Sequence, residues 1–308
     1  MVVFKRKPLE GVFPLLPFSL KRNQEVDYEA IRGNIELLIE NGFPGFIAFG
    51  SMGSHHAPSE EEFNKVTDVC VDAANGKIAC VIGNTAPNTK EAIRRIKYAE
   101  DAGADGVMMA LPYAFPLSKE MAAKHCQMVN DAIKGELAIM IYNEPGLARK
   151  FNMTKEFWEN YLLKMENIKA VKEGAVEPDD TLFAIADKIN VFSFTEGQFW
   201  RLSMLGAKGI VAQWSWLAPK VFLKWYKMCR EGKWFDPWVL KVYKMIPAPG
   251  YGYSEIPSRM DRYGQAILHA MVDIAGGKGG EVPAPHLPLP EESRRYLEEF
   301  ARKLQALE

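Results

Sequence analysis

The 308 residues are 48% hydrophobic and 25% charged, with a formal net charge of −1. That balance supplies no electrostatic reason to expect nucleic acid or an anionic membrane as partner, so a small molecule is the expected ligand. No run of about 18 uninterrupted apolar residues occurs, which argues against a membrane-spanning helix. The length fits either two average domains or one large α/β barrel.

The opening MVVFKRKPLEGVFPLLPF is basic after its first apolar residues, but Pro14 and Pro17 interrupt the later apolar run and no small-residue cleavage site follows, so no signal peptide is read. Cys70, Cys80, Cys126 and Cys229 show no C-x-x-C spacing and sit inside apolar patterns, where reduced buried thiols are expected. A cytoplasmic location is the expectation.

Short apolar runs then alternate with longer amphipathic segments. The predicted strands are VFPLL (12–16), GFIAFG (45–50), IACVIG (78–83), GVMMAL (106–111), LAIMIY (137–142), IKAVK (168–172), NVFSFT (190–195) and GIVAQW (209–214). Between them lie helical patterns such as 27–42, 59–76, 88–104 and 118–135, which begin on Asp, Ser or Asn caps and often stop at Gly. Near-continuous apolar strands each followed by a helix imply a parallel sheet covered on its outer face. Eight such units at roughly 30-residue spacing predict a (β/α)8 TIM barrel, for which about 250 residues is typical; an open, doubly wound sheet is the alternative. The barrel is expected over residues 1–232. Residues 233–308 form a C-terminal helical extension packed on it, aromatic and Pro-rich at its start (232–257) and ending in a capped amphipathic helix (289–304).

In such barrels the active site is built where strands end and βα loops begin. Strand 2 delivers Ser51 within the Gly50–Gly53 turn, strand 3 Asn84 and Thr85, strand 4 Pro112 and Tyr113, strand 5 Tyr142 and Asn143. Strand 6 delivers Lys172, strand 7 Thr195 and Glu196, and strand 8 Gln213 and Trp214. A lysine at the mouth of an apolar strand has its pKa lowered toward the neutral amine, which attacks a ketone to form a Schiff base. The other reading is a salt bridge from Lys172 to Glu173 or Glu196. Tyr142 ends the preceding strand, where its phenol would move protons beside Lys172; alone it would read as a rim aromatic. The GSMGS turn offers clustered N–H groups and the Ser51 and Ser54 hydroxyls, a nest for a carboxylate or phosphate, without the lysine and spacing of a P-loop. His55 and His56 are consecutive, so their side chains are expected to diverge, and neither they nor His125, His269 and His286 show metal-ligand spacing. No metal and no cofactor is expected. Ser59 with Glu62 at the third position predicts a capping box after them.

Taken together, GSMG (50–53), GADGVMMALPYAFPLS (103–118), YNEP (142–145), KEG (172–174) and GAKGIVAQWSWLAP (206–219) resemble the dihydrodipicolinate synthase/N-acetylneuraminate lyase family of class I aldolases, from about residue 11 to 230. The resemblance implies that Lys172 forms the imine and Tyr142 shuttles protons, while Ser51 and the backbone of Ser51 and Met52 seat the carboxylate of pyruvate or another 2-keto acid. It places Gly50, Gly53, Ala114, Leu147, Glu196, Val211 and Trp214 around the substrate, and implies a homotetramer or homodimer. Departures narrow the substrate. Met52 and Ser54 replace a hydroxyl residue and a glutamate of the motif, Ala114 stands where the synthases extend a tyrosine relay, and Leu147 replaces an arginine that binds the aldehyde's carboxylate. Met52, Ala114, Phe115, Leu147, Trp214 and Trp216 suggest an apolar pocket for a hydrophobic, even aryl, aldehyde, as in the hydratase-aldolases. The alternatives are a 2-keto-3-deoxy sugar-acid aldolase or dehydratase, with Glu196 and Gln213 on hydroxyls, and a non-catalytic barrel that only binds keto acids.

Overall fold

A strand that is apolar on both faces is stable only when both faces are covered, and a closed parallel sheet ringed by helices covers them. In the computed structural model, which describes residues 6–174, 179–246 and 260–308, the strands are β1 (Gly11–Pro14), β2 (Gly45–Ala48), β3 (Ala79–Gly83), β4 (Gly106–Met109), β5 (Ala138–Asn143), β6 (Ile168–Glu173), β7 (Asn190–Ser193) and β8 (Gly209–Ala212). They pair in parallel in the order β1-β8-β7-β6-β5-β4-β3-β2. The two ends of that order meet where Leu15 bridges Ile47 and the Leu16 N–H donates to the Ile47 carbonyl at 2.9 Å. The sheet is therefore the expected (β/α)8 barrel, not an open doubly wound sheet.

The helices of the ring are α1 (Tyr28–Glu40), α2 (Glu60–Ala74), α3 (Thr89–Ala102), α4 (Lys119–Asn130), α5 (Lys155–Asn160), α6 (Asp179–Ile185), α7 (Glu196–Met204) and α8 (Pro219–Arg230). Their starts follow the caps read from sequence. Asp27 accepts from the Ala30 N–H, Asn88 from Glu91 and Ser118 from Met121, and Ser59 and Glu62 close a full capping box. Each such cap contributes about 1 kcal/mol.

Inside the barrel, Phe13 and Phe192 meet edge to face with ring centroids 5.1 Å apart. Neighbouring glycines make room for them: a Cβ at Gly45 would lie 2.6 Å from the Phe13 ring, and one at Gly209 would lie 2.4 Å from the Phe192 ring. Large and small residues thus interdigitate across adjacent strands, as close packing requires. Several strands end sooner than their apolar runs suggest. β2 stops at Ala48 because Phe49 has a left-handed φ of 52°, held by stacking on Phe63 at 5.0 Å.

After α8 come α9 (Pro237–Met245), α10 (Met260–Ile274) and α11 (Glu291–Gln305); residues 247–259 of the Pro-rich stretch lie outside the described residues. These helices pack onto the barrel through specific contacts. Phe300 meets the Trp214 ring edge to face at 5.3 Å, Gln305 donates to the Leu217 carbonyl at 2.8 Å, and Lys278, in the segment between α10 and α11, pairs with Asp27 at 2.6 Å. Among the described residues no helix is long and apolar enough to cross a membrane.

Gly209→Ala, read by urea unfolding, is expected to destabilise the protein by about 1–3 kcal/mol, since the added methyl must displace the Phe192 ring from a filled interior.

Candidate active site

Strand alternation sorts the residues at the barrel mouth before any chemistry does. β5 and β6 run in register with Tyr142 opposite Lys172 and Asn143 opposite Glu173, and successive side chains point to opposite faces. Tyr142 and Lys172 share the inner face. Glu173 takes the outer face, where the Asn143 amide donates to its two oxygens at 2.9 and 3.2 Å. The inner pair is joined by Phe194, just past the end of β7: the Lys172 Nζ lies 4.0 Å from the Tyr142 ring centroid and 4.6 Å from that of Phe194.

Lys172 is only 3% exposed. The two ring faces favour its charged form, by about 0.5–2 kcal/mol each at most, and the field of Glu144 does so too, but loss of hydration costs more and lowers its pKa to about 7. The amine is therefore substantially neutral at physiological pH. The two carboxylates considered as its salt-bridge partners are held elsewhere: Glu173 by Asn143, and Glu196 by the backbone of β8's end.

Burial, reinforced by the Glu144 charge and opposed by a hydrogen bond from Ser51, pushes the Tyr142 phenol well above its ordinary value. It stays protonated and serves as a donor. Ser51 thereby connects the turn after β2 to the Tyr142–Lys172 pair. That turn is tightly drawn. A Cβ at Gly53 would lie 2.6 Å from the Leu16 carbonyl and one at Gly50 2.8 Å from Leu15, and the N–H groups of Ser54 and His55 are consumed by the Ser51 and Gly50 carbonyls. Met52 is buried. The Ser51 carbonyl accepts from Gln265 of α10 at 3.3 Å, so the C-terminal helices brace the turn.

The two histidines do not diverge as their adjacency suggests. Ser54 takes a left-handed φ of 58°, and the His55 and His56 rings meet edge to face at 5.4 Å. His55 also meets Tyr113 at 6.0 Å, and burial lowers its pKa to about 4, so it is neutral. Its carbonyl and that of Thr85 both accept from Arg95 of α3, at 3.4 and 3.2 Å, which stitches the second and third βα loops together. Among the described residues no group of three or more His, Cys, Asp or Glu is placed to hold a metal ion.

At the ends of β7 and β8, Glu196 opens α7 fully buried, its Oε1 accepting from the N–H groups of Gln213 (2.7 Å) and Ser215 (3.1 Å). Burial outweighs these bonds and raises its pKa to about 7. Its Oε2, the Thr195 hydroxyl and the Gln213 Oε1 are buried without a hydrogen-bond partner in the structure, a costly state unless water or ligand supplies one. Val211 faces inward in register with Phe13. Trp214 turns outward against Phe300, and Trp216 donates to the Leu15 carbonyl at 2.9 Å, so both indoles are occupied in packing. Ala114 and Phe115 lie on an exposed loop, and Leu147 is half-buried after β5. The structure thus gathers Lys172, Tyr142 and Ser51 and leaves Ala114 and Trp214 apart from them.

Two neighbours of the pair carried no role in the sequence reading, Phe194 and Glu144. Both lie on inward-facing positions that a two-residue count finds, from Phe192 and from Tyr142 respectively.

A lysine neutral above about pH 7 when folded but charged up to its ordinary 10.5 when unfolded imposes a folding penalty. The penalty is fully present below pH 7 and fades as pH rises to 10.5. Lys172→Met should therefore be more stable than the parent by a few kcal/mol at pH 6.5, and chemical denaturation across pH should show the difference narrowing toward pH 10.

Comparison with known proteins gives the family. The dihydrodipicolinate synthetase family model matches residues 8–239. The 4-hydroxy-tetrahydrodipicolinate synthase of Methanocaldococcus jannaschii is 30% identical over 299 residues, spanning 96% of this chain and 98% of the relative. A solved dihydrodipicolinate synthase superposes with a TM-score of 0.84 at 28% identity, over 97% of this chain and 100% of that one. A Ruminococcus gnavus sialic acid aldolase, solved as its catalytic lysine mutant, shares the fold with a TM-score of 0.85 at 21% identity and 98% coverage of both chains. The chain belongs to the dihydrodipicolinate synthetase family and is a lyase of its class I, Schiff-base aldolase kind.

Proposed function

We propose that Lys172 forms the imine with pyruvate or a related 2-keto acid, and that the enzyme makes or breaks the bond between C3 of that acid and a hydrophobic aldehyde. The observation that carries this reading is the register of β5 and β6, which sets a buried, substantially neutral amine 4.0 Å from the ring of a protonated tyrosine. The neutral amine adds to the ketone, and Tyr142 gives its proton to the oxygen that leaves the carbinolamine as water. The protonated imine then accepts the electron pair released at C3. Ser51, bonded to the phenol, stands in the turn whose hydroxyl and N–H groups suit the keto acid's carboxylate.

The relatives' names give the aldehyde of 4-hydroxy-tetrahydrodipicolinate synthesis as the obvious candidate. Against it for this chain stand Leu147 and Ala114, apolar where the resemblance calls for an arginine and a relay tyrosine. Buried Met52, half-buried Leu147 and Phe194 support an apolar acceptor, of the hydratase-aldolase kind. One observation favours a second reading, cleavage or dehydration of a 2-keto-3-deoxy sugar acid: Glu196 Oε2 and Gln213 Oε1 are buried acceptors awaiting donors, which sugar hydroxyls would supply. The exposed side chains of Phe115 and Phe235 suit a homo-oligomer, dimer or tetramer.

Incubation with pyruvate and borohydride is expected to add one reduced pyruvyl group to the intact mass, and Lys172→Ala to abolish it; trapping by the alanine variant would refute the assignment. Tyr142→Phe should lower turnover about 10²–10⁴-fold. Product analysis after pyruvate is offered benzaldehyde or glyceraldehyde separates the two substrate readings, with benzaldehyde the expected acceptor.

A further inference from the structure

Among the described residues three glutamates lie near the mouth pair, and of these Glu144 is the one whose carboxylate is neither turned to the outer face nor locked by two backbone donors. It follows β5 directly, two residues past Tyr142, so alternation returns it to the inner face. On the neighbouring strand the inner-face position after Lys172 is Gly174, whose N–H donates to the Asn143 carbonyl at 2.8 Å. The missing side chain there is what admits the carboxylate: a Cβ at Gly174 would lie 2.7 Å from Glu144 Oε2 and 3.3 Å from the Phe194 ring. The other oxygen, Oε1, accepts from the Gly146 N–H at 3.0 Å, which fixes the orientation. Glu144 is half-buried, and burial raises its pKa while the Gly146 hydrogen bond and then the Lys172 charge partly oppose the rise. Two residues along a strand advance about 6.6 Å. Tyr142 and Glu144 therefore stand at different heights along the barrel axis.

We propose that Glu144 is a further catalytic residue, the acid–base group for the oxygen on the carbon that is cut from or joined to C3 of the keto acid. This rests on the imine reading above. In cleavage of a 4-hydroxy-2-keto acid held as the Lys172 iminium, the Glu144 carboxylate takes the proton of the C4 hydroxyl. The O–H pair becomes the second bond of the aldehyde carbonyl, the C3–C4 pair becomes the C2–C3 double bond, and the C2–N π pair settles on nitrogen. The products are aldehyde, enamine and a protonated Glu144. In the reverse direction the Glu144 acid returns its proton to the aldehyde oxygen as C3 attacks. No oxidant or further reactant is needed, and Tyr142 remains assigned to the carbinolamine oxygen.

Glu144→Gln tests this without dismantling the loop, because a glutamine Oε1 still accepts from the Gly146 N–H. The readouts are condensation of pyruvate with benzaldehyde and with D-glyceraldehyde, borohydride trapping of pyruvate, and exchange of the pyruvate methyl protons in D2O. With whichever aldehyde the parent accepts, E144Q is expected to lose about 10²–10⁴-fold in turnover while trapping and exchange stay within about 3-fold of the parent. Turnover within about 3-fold of the parent would overturn the proposal. So would loss of exchange together with turnover, which would place the carboxylate on the C3 proton instead. A parent that never traps pyruvate would count against the imine reading itself, a result visible before any Glu144 variant is made.

Discussion

An ammonium group holds its charge cheaply only in water, and the Lys172 side chain is almost entirely cut off from it. Ionising an amine at such a site costs several kcal/mol, and what surrounds it repays little. Two aromatic faces contribute modestly, and the carboxylate that opposes the shift, Glu144, is itself half-exposed and acts through the mouth of the barrel. The group responds by giving up its proton near neutral pH. The rest of the mouth is arranged around that outcome: a phenol kept protonated by the same burial, a serine bonded to it from the turn after β2, and that turn braced from α3 and from α10.

The mouth shows how one residue type is given different chemistry by position alone. Glu173 is one residue from Lys172 in sequence but on the other face of the strand, where the Asn143 amide binds it between sheet and helices. Glu196 is spent in part on the backbone N–H groups that follow β8, and its burial raises its pKa to about 7. Glu144 sits over a glycine with one oxygen tied to the Gly146 N–H and the other against Gly174. Only that third setting combines access with a raised proton affinity.

The β2 turn tells the same story in its backbone. Left-handed residues at Phe49 and Ser54 bracket it, a strained arrangement that persists because the Phe49–Phe63 stack, Arg95 and Gln265 over-determine it. The histidines that follow are folded into the wall of the mouth, His55 neutral against Tyr113, which leaves the hydroxyl and amide groups of the turn as its polar contribution.

Much of this was legible before folding. Eight apolar runs at even spacing, each followed by a capped amphipathic segment, call for a parallel sheet buried on both faces, and their number and spacing match a closed barrel better than an open doubly wound sheet. Once the barrel is known, Lys172 and Tyr142 are at matched strand ends by counting alone, and the family follows from the motifs around them. What the one-dimensional order does not carry is distance across the mouth. Trp214 reads as a pocket wall and instead packs on Phe300, more than 80 residues away in sequence, because the turn after β8 rotates it outward. Glu144 reads as one more loop residue, and the room for its carboxylate depends on Gly174, just past the end of the adjacent strand. Sequence by itself determined the alternation of eight strands with helices and put Lys172 and Tyr142 at neighbouring strand ends. Tertiary structure alone decided which groups share a desolvated space with that pair, since burial is a property of what the whole chain packs around a side chain.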